Sequence, residues 1–118
     1  MAFTEVKSIE EMKEFYLSII PKIREVARLH GYAIGVHGSL TRDLDLIAIP
    51  WIETYSDKNV LATEIQKEVC GFHRSSYDWE AKPNGRVATM FAACFIDYTT
   101  LKDEREGLGH IDLSVVGG

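Results

Sequence analysis

Apolar residues at Ile9, Met12, Phe15, Tyr16, Ile19, Ile20, Ile23, Val26 and Ala27 recur at three- and four-residue steps, which predicts one amphipathic helix between residues 8 and 30. Ser8 and Glu11 have capping-box spacing at its start, and Gly31 stands where a helix C′ glycine belongs. Pro21 interrupts the stripe and predicts a bent helix or two abutting ones. Past Gly31 the period changes to two. Tyr32, Ile34 and Val36 alternate with Ala33, Gly35 and His37, as on a strand whose second face is thin enough for a chain segment or a ligand to approach. A second strand over 43–51 sets Leu44, Leu46 and Ala48 against Asp43, Asp45, Ile47 and Ile49. The short connection predicts an antiparallel hairpin, and Pro50 marks a strand end or an edge.

Ser56-Asp57 offers an N-cap for a second helix with Val60, Leu61, Ile65, Val69 and Phe72 on its apolar face and Gly71 as its stop. A third strand is expected over 75–81. Lys82-Pro83-Asn84-Gly85-Arg86 then reads as a hairpin turn, since Asn and Gly both tolerate positive φ. A fourth strand over 87–98 is weakened by Ala92-Ala93; a charged loop over 102–109 and a last strand over 110–116 follow. The order is αββαβββ: a single α+β domain over 1–118, with a mainly antiparallel sheet and two helices on one face.

Size and charge narrow the function classes. A chain of 118 residues with net charge −5 is not built to wrap long nucleic acids. It has no apolar run of the roughly 18 residues a membrane span requires, and no signal peptide at its start, so a cytoplasmic address is expected. Cys70 and Cys94 sit in apolar surroundings without metal-type spacing and are expected as buried thiols.

Three features carry candidate chemistry. Asp43 and Asp45 fall on one strand face, about 7 Å apart along the backbone, and Asp112 alternates the same way in the final strand. Three carboxylates on adjacent strands suit two divalent ions and in-line phosphoryl transfer, with the Gly38-Ser39 turn offering backbone donors to phosphate. The plainer alternative is structural: a turn-capping Asp, or an ion pair from Arg42 to Asp45 or Asp112. Second, Lys82, Asn84 and Arg86 set two cations about an amide, suited to a phosphate and a base edge, although hairpin formation alone accounts for Asn84-Gly85. Third, Phe72, His73, Tyr77 and Trp79 supply aromatic faces for a base, or simply core. His37 and His110 read as metal ligands or as hydrogen-bonded fixtures. No catalytic triad or zinc pattern is present, and no cofactor or bound metal is expected.

The run Gly38-Ser39…Asp43-Leu44-Asp45-Leu46, with Asp112 later, resembles the strand-turn-strand signature of the nucleotidyltransferase superfamily. It departs from that pattern in having only Leu40-Thr41-Arg42 between Gly-Ser and the first aspartate, where the superfamily carries a longer insertion opening as a helix. Across nearly the whole chain, Val36-His37-Gly38-Ser39, Arg42-Asp43-Leu44-Asp45-Leu46, Pro50-Trp51, Lys82-Pro83-Asn84-Gly85-Arg86 and Ile111-Asp112-Leu113-Ser114 resemble a group of small phage and prophage proteins suspected to include the Thoeris anti-defence 1 family. That resemblance implies a non-enzymatic phage protein that blunts host immunity by sequestering a cyclic nucleotide signal, such as a cyclic ADP-ribose isomer or a cyclic oligonucleotide, in a homo-oligomer up to a hexamer. By the same resemblance Arg42, Phe72, Asn84 and Arg105 are the ligand contacts, to which the hairpin cations Lys82 and Arg86 are added. The competing expectations are a minimal or degenerate metal-dependent nucleotidyltransferase using Asp43, Asp45 and Asp112, and a protein–protein interaction module.

Overall fold

A computed structural model describes residues 9–70, 73–94 and 108–117. Helix α1 (Ile9–Leu29) leads into strands β1 (Tyr32–His37) and β2 (Asp43–Pro50), followed by helix α2 (Lys58–Val69), strands β3 (Glu80–Lys82) and β4 (Arg86–Cys94), and strand β5 (Leu108–Val116). The sheet order is β1-β2-β5-β4-β3. All neighbours are antiparallel except β2 and β5, which run parallel. The fold is therefore α+β with a mixed, mostly antiparallel five-stranded sheet.

Alternation decides which face the helices cover. Leu44, Leu46 and Ala48 of β2, Phe91 and Ala93 of β4, and Ile111, Leu113 and Val115 of β5 are buried with Tyr16, Ile20 and Ile23 of α1 and Leu61, Ala62 and Ile65 of α2. The alternate residues form the open face, including Asp45, Asp112 and the exposed Met90. Each fully buried aliphatic side chain contributes about 1.5–3 kcal/mol, so this two-layer core outweighs any single local preference. Among the described residues no helix is long and apolar enough to cross a membrane.

Several local signals act as expected. Gly31 takes φ +87° immediately after α1, and the Gly31 carbonyl accepts the Trp51 amide at 3.1 Å. The Asp57 carboxylate caps α2 by accepting the Asn59 amide at 2.9 Å. Asn84 and Gly85 both have positive φ within the short 3-10 turn Pro83–Gly85 that joins β3 to β4. Ser8 and the expected stop at Gly71 lie outside the described residues; Cys70, extended, follows α2.

Other expectations are corrected. Helix α1 is one continuous helix through Pro21, not two abutting ones. Pro21 is on the exposed side, so the Leu17 carbonyl that its missing N–H leaves free faces water rather than core. The third strand is three residues long instead of seven. Residues 73–79 are held by α2 side chains in place of a ladder: Asn59 Oδ1 accepts from the Tyr77 amide and Trp79 Nε1, and Tyr77 donates its hydroxyl to buried Gln66 at 2.7 Å. Strand β4 is described from Arg86 to Cys94, and the rest of its expected span lies outside the described residues. Cys70 and Cys94, expected as separate thiols, are joined in a disulfide with Cα atoms 4.7 Å apart, tying the end of α2 to the end of β4.

The α1–β1 joint gives a direct test. A Cβ on Gly31 would lie 2.8 Å from the Tyr55 Cα, a backbone atom that cannot swing aside, at a φ that L-residues avoid. Gly31→Ala is expected to destabilise the fold by about 1–2 kcal/mol or more in urea denaturation, whereas Gly85→Ala, with open space at its Cβ, loses only the positive-φ component of about 1 kcal/mol.

Candidate functional site

The parallel pairing of β2 and β5 sets Asp45 directly beside Asp112 and Asp43 beside His110. On the other flank of β2, His37 of β1 pairs with Asp45. One patch of the open face thus gathers three carboxylates and two imidazoles from three adjacent strands. The proton affinity of Asp45 is raised, first by burial and then by the negative charges of Asp112 and Asp43, with His37 opposing. Among the described residues no three of His, Cys, Asp and Glu stand close enough together to hold a metal ion.

The turn beside the acids is unusually constrained. Gly38 has φ +83°, and a Cβ there would lie 2.7 Å from the Asp45 carboxylate oxygen Oδ2. The positive φ favours glycine here, and a Cβ would oblige the Asp45 carboxylate to turn aside. Leu40 adopts φ +62°, a conformation costing a non-glycine residue about 1–2 kcal/mol, while its buried side chain anchors the turn in the core. The Ser39 and Thr41 hydroxyls hydrogen-bond each other at 2.8 Å. Arg42 is exposed, and among the described residues no ion pair joins it to Asp45 or Asp112.

Of the proposed ligand contacts, Arg42 and Arg86 stand far apart on the sheet. Arg42 immediately precedes β2, whose first residue Asp43 pairs with His110, while Arg86 pairs with Val116 at the far end of β5. The separation is about 20 Å by strand rise. Arg86 is engaged structurally, donating to the Pro83 carbonyl at 3.3 Å and to Ser114 Oγ at 3.2 Å. Lys82 pairs with Glu80 at 3.6 Å, and Asn84 is exposed on the hairpin tip. Phe72 and Arg105 lie outside the described residues. Of the aromatics, Tyr77 is core, whereas Trp79 lines a groove of about 420 Å3 that extends from Asp112 past Met90 to Arg74.

Sequence reasoning missed Tyr16. Its place in the apolar stripe marks it as core, and it is buried, but its hydroxyl donates to the Arg42 carbonyl at 2.6 Å and accepts the His110 amide at 3.1 Å. One phenol therefore fastens the starts of the two parallel strands that bear the acids. Its only advance signal was a polar tip within an otherwise aliphatic stripe.

No protein-family profile matches this chain, and no curated protein matches it by sequence. The site therefore has to be read from its own chemistry.

Two outcomes follow from that chemistry. Tyr16→Phe leaves a strand amide and a carbonyl without their partner and is expected to cost about 1–3 kcal/mol by chemical denaturation. Burial raises the Tyr16 pKa above its ordinary 10.0, the His110 amide opposes, and the charges of Asp43 and Asp45 add to the rise. The neutral phenol is thus the form the fold favours. Its stabilisation is complete below pH 10 and is lost as pH rises through the higher folded value, a loss that Tyr16→Phe should lack. Asp45→Asn relieves like-charge crowding and is expected to stabilise the protein at neutral pH by a few tenths of a kcal/mol, since solvent screens the patch. A lowered melting temperature in Asp45→Asn would contradict that reading.

Proposed function

We propose that this chain is a small nucleotidyltransferase-type domain that binds a nucleoside triphosphate on its open sheet face and transfers the nucleotidyl group. The observation that carries the reading is the in-register pairing of Asp45 with Asp112, with Asp43 two residues away on the same face. A glycine turn pressed against the Asp45 carboxylate accompanies it. The donor set is all hard oxygen, which suits Mg2+; that ion is commonly held by one or two carboxylates together with substrate phosphates, so three preassembled protein ligands are not required. Held by Asp45 and Asp112 together with the substrate phosphates, it would supply charge neutralisation at the phosphoryl oxygens.

The chain's own residues supply the rest. Gly38 and Ser39 bring backbone N–H groups to the edge of the acid patch, where a phosphate tail finds donors. Arg42, exposed beside them, adds a cation suited to phosphate. In the transfer an acceptor hydroxyl attacks the α-phosphorus, the bond to the β-phosphate oxygen breaks, pyrophosphate leaves, and the hydroxyl proton passes to a carboxylate of this face. Tyr16 holds the two acid-bearing strands in register without touching the reactants.

Sequestration of a cyclic nucleotide without cleavage is the second reading. What favours it is the lack of three close metal-type ligands among the described residues, and a connection from Gly38 to Asp43 too short for an anion-binding helix.

One experiment separates the two. The protein is incubated with each α-labelled ribonucleoside triphosphate and Mg2+, with and without EDTA, and in parallel with a cyclic ADP-ribose isomer. Nucleotidyl transfer predicts pyrophosphate release that EDTA abolishes and that Asp45→Asn lowers by about 100-fold or more. Sequestration predicts no turnover, and intact cyclic ligand recovered from heat-denatured protein whether or not EDTA is present.

A further inference from the structure

The two edges of the sheet are built differently. At one end β3 is three residues long, all of them exposed, and Glu80 and Lys82 are charged. Short, charged strands are how proteins keep a sheet edge from pairing with another chain. At the other end β1 presents six residues, Tyr32–His37, with no lysine, acid or proline among them. One bond sets the phase of its backbone. The Trp51 amide donates to the Gly31 carbonyl, so Gly31 and, by alternation, Ala33, Gly35 and His37 turn their backbone groups toward β2. Pro50, which has no N–H, stands opposite Tyr32, where that phase asks for no bond between the two strands. Tyr32, Ile34 and Val36 therefore point their N–H and C=O groups away from the sheet, and among the described residues nothing bonds to them.

We propose that β1 is a self-association edge, which pairs antiparallel with β1 of a second copy of this chain and joins the two five-stranded sheets into one. What selects a second copy as the partner is the symmetry of the strand about Ile34. Large and small positions read alike in both directions: Tyr32 and Val36 enclose Ala33 and Gly35, which enclose Ile34. A two-fold axis at Ile34 sets Ile34 opposite itself and Tyr32 opposite Val36, each pair exchanging both of its backbone bonds. The side chains agree with that register. Ile34 and Val36 are only half-buried on the helix-covered side, and cross-strand pairing with Ile34, Tyr32 and Val36 of the second copy buries them further. On the open side the closely spaced pairs bring Ala33 against Gly35, which are too small to obstruct each other. Each chain carries net charge −5, so two copies repel over most of their surface, and an uncharged strand is where they meet with least opposition. Both acid patches remain uncovered on the same side of the joined sheet, and the proposal stands apart from the nucleotide reading.

Light scattering during gel filtration gives the mass across a concentration series, and amide exchange followed by NMR shows which backbone groups pair. The expected result is a species of twice the chain mass, in which the Ile34 and Val36 amides exchange about tenfold or more slowly than at high dilution. The Ala33 and Gly35 amides, directed to β2, stay protected throughout. Exposed Ala33 and Gly35 also carry the test of register. A Cβ at Gly35 meets only the Ile47 carbonyl, at an ordinary 3.9 Å, so a side chain fits there in the single chain. Ala33→Lys with Gly35→Lys sets like charges across both close pairs and should weaken the dimer by about tenfold. Ala33→Lys with Gly35→Glu sets opposite charges there and should restore it. Matching melting curves verify that both double variants fold. A monomer at every concentration overturns the proposal, whether its Ile34 amide exchanges freely or is covered by another stretch of the chain. So does a dimer whose Ile34 and Val36 amides exchange freely, or one on which the two double variants act alike.

Discussion

The parallel contact between β2 and β5 is the constraint on which the rest depends. Parallel neighbours require a long crossover, and here α2, β3 and β4 supply it before β5 slots between β2 and β4. Leu44, Leu46 and Ala48 on one strand and Ile111, Leu113 and Val115 on the other all face the helices. Slipping one strand by a single residue would expose its leucines and drive its aspartates into the core. An ionised carboxylate forced inside costs several kcal/mol, so the core itself holds Asp45 opposite Asp112. The acid patch is the reverse side of the hydrophobic register.

Unfavourable local energies gather at that same place. Leu40 and Gly38 both have positive φ, Gly38 crowds the Asp45 carboxylate, and Asp45 binds its proton more tightly than an isolated aspartate. None of these improves the fold by itself. They persist because Leu40 is anchored in the core and Tyr16 clamps both strand starts. Strain concentrated beside a cluster of like charges is expected where binding or chemistry sets the requirement and the surrounding core supplies the stability.

The two ends of the open face differ in character. Near β1 and β2 it is carboxylate, imidazole and backbone turn; near β4 and β3 it is thioether and alternating charge. In the Lys82–Arg86 hairpin, Arg86 donates to Pro83 and Ser114 and Lys82 pairs with Glu80.

Much of the architecture was legible in the chain. The two-residue alternation from Tyr32 to His37 located β1, Asp57 capped α2, Asn84-Gly85 turned the hairpin, and the αββαβββ order followed. These are local properties: periodicity states which side of an element is apolar, and turn chemistry states where the backbone can reverse. The candidate acids were legible for the same reason, since Asp43, Asp45 and Asp112 alternate against leucines and isoleucine. What the alternation does not encode is which strand lies beside which. The parallel β2–β5 neighbours, the 20 Å scale separating Arg42 from Arg86, the meeting of Cys70 with Cys94 and the capture of 73–79 by Asn59 and Gln66 were decided only by packing. Such contacts join residues far apart in the chain, and their partners are selected by the shape and burial of the whole core, which no local pattern carries.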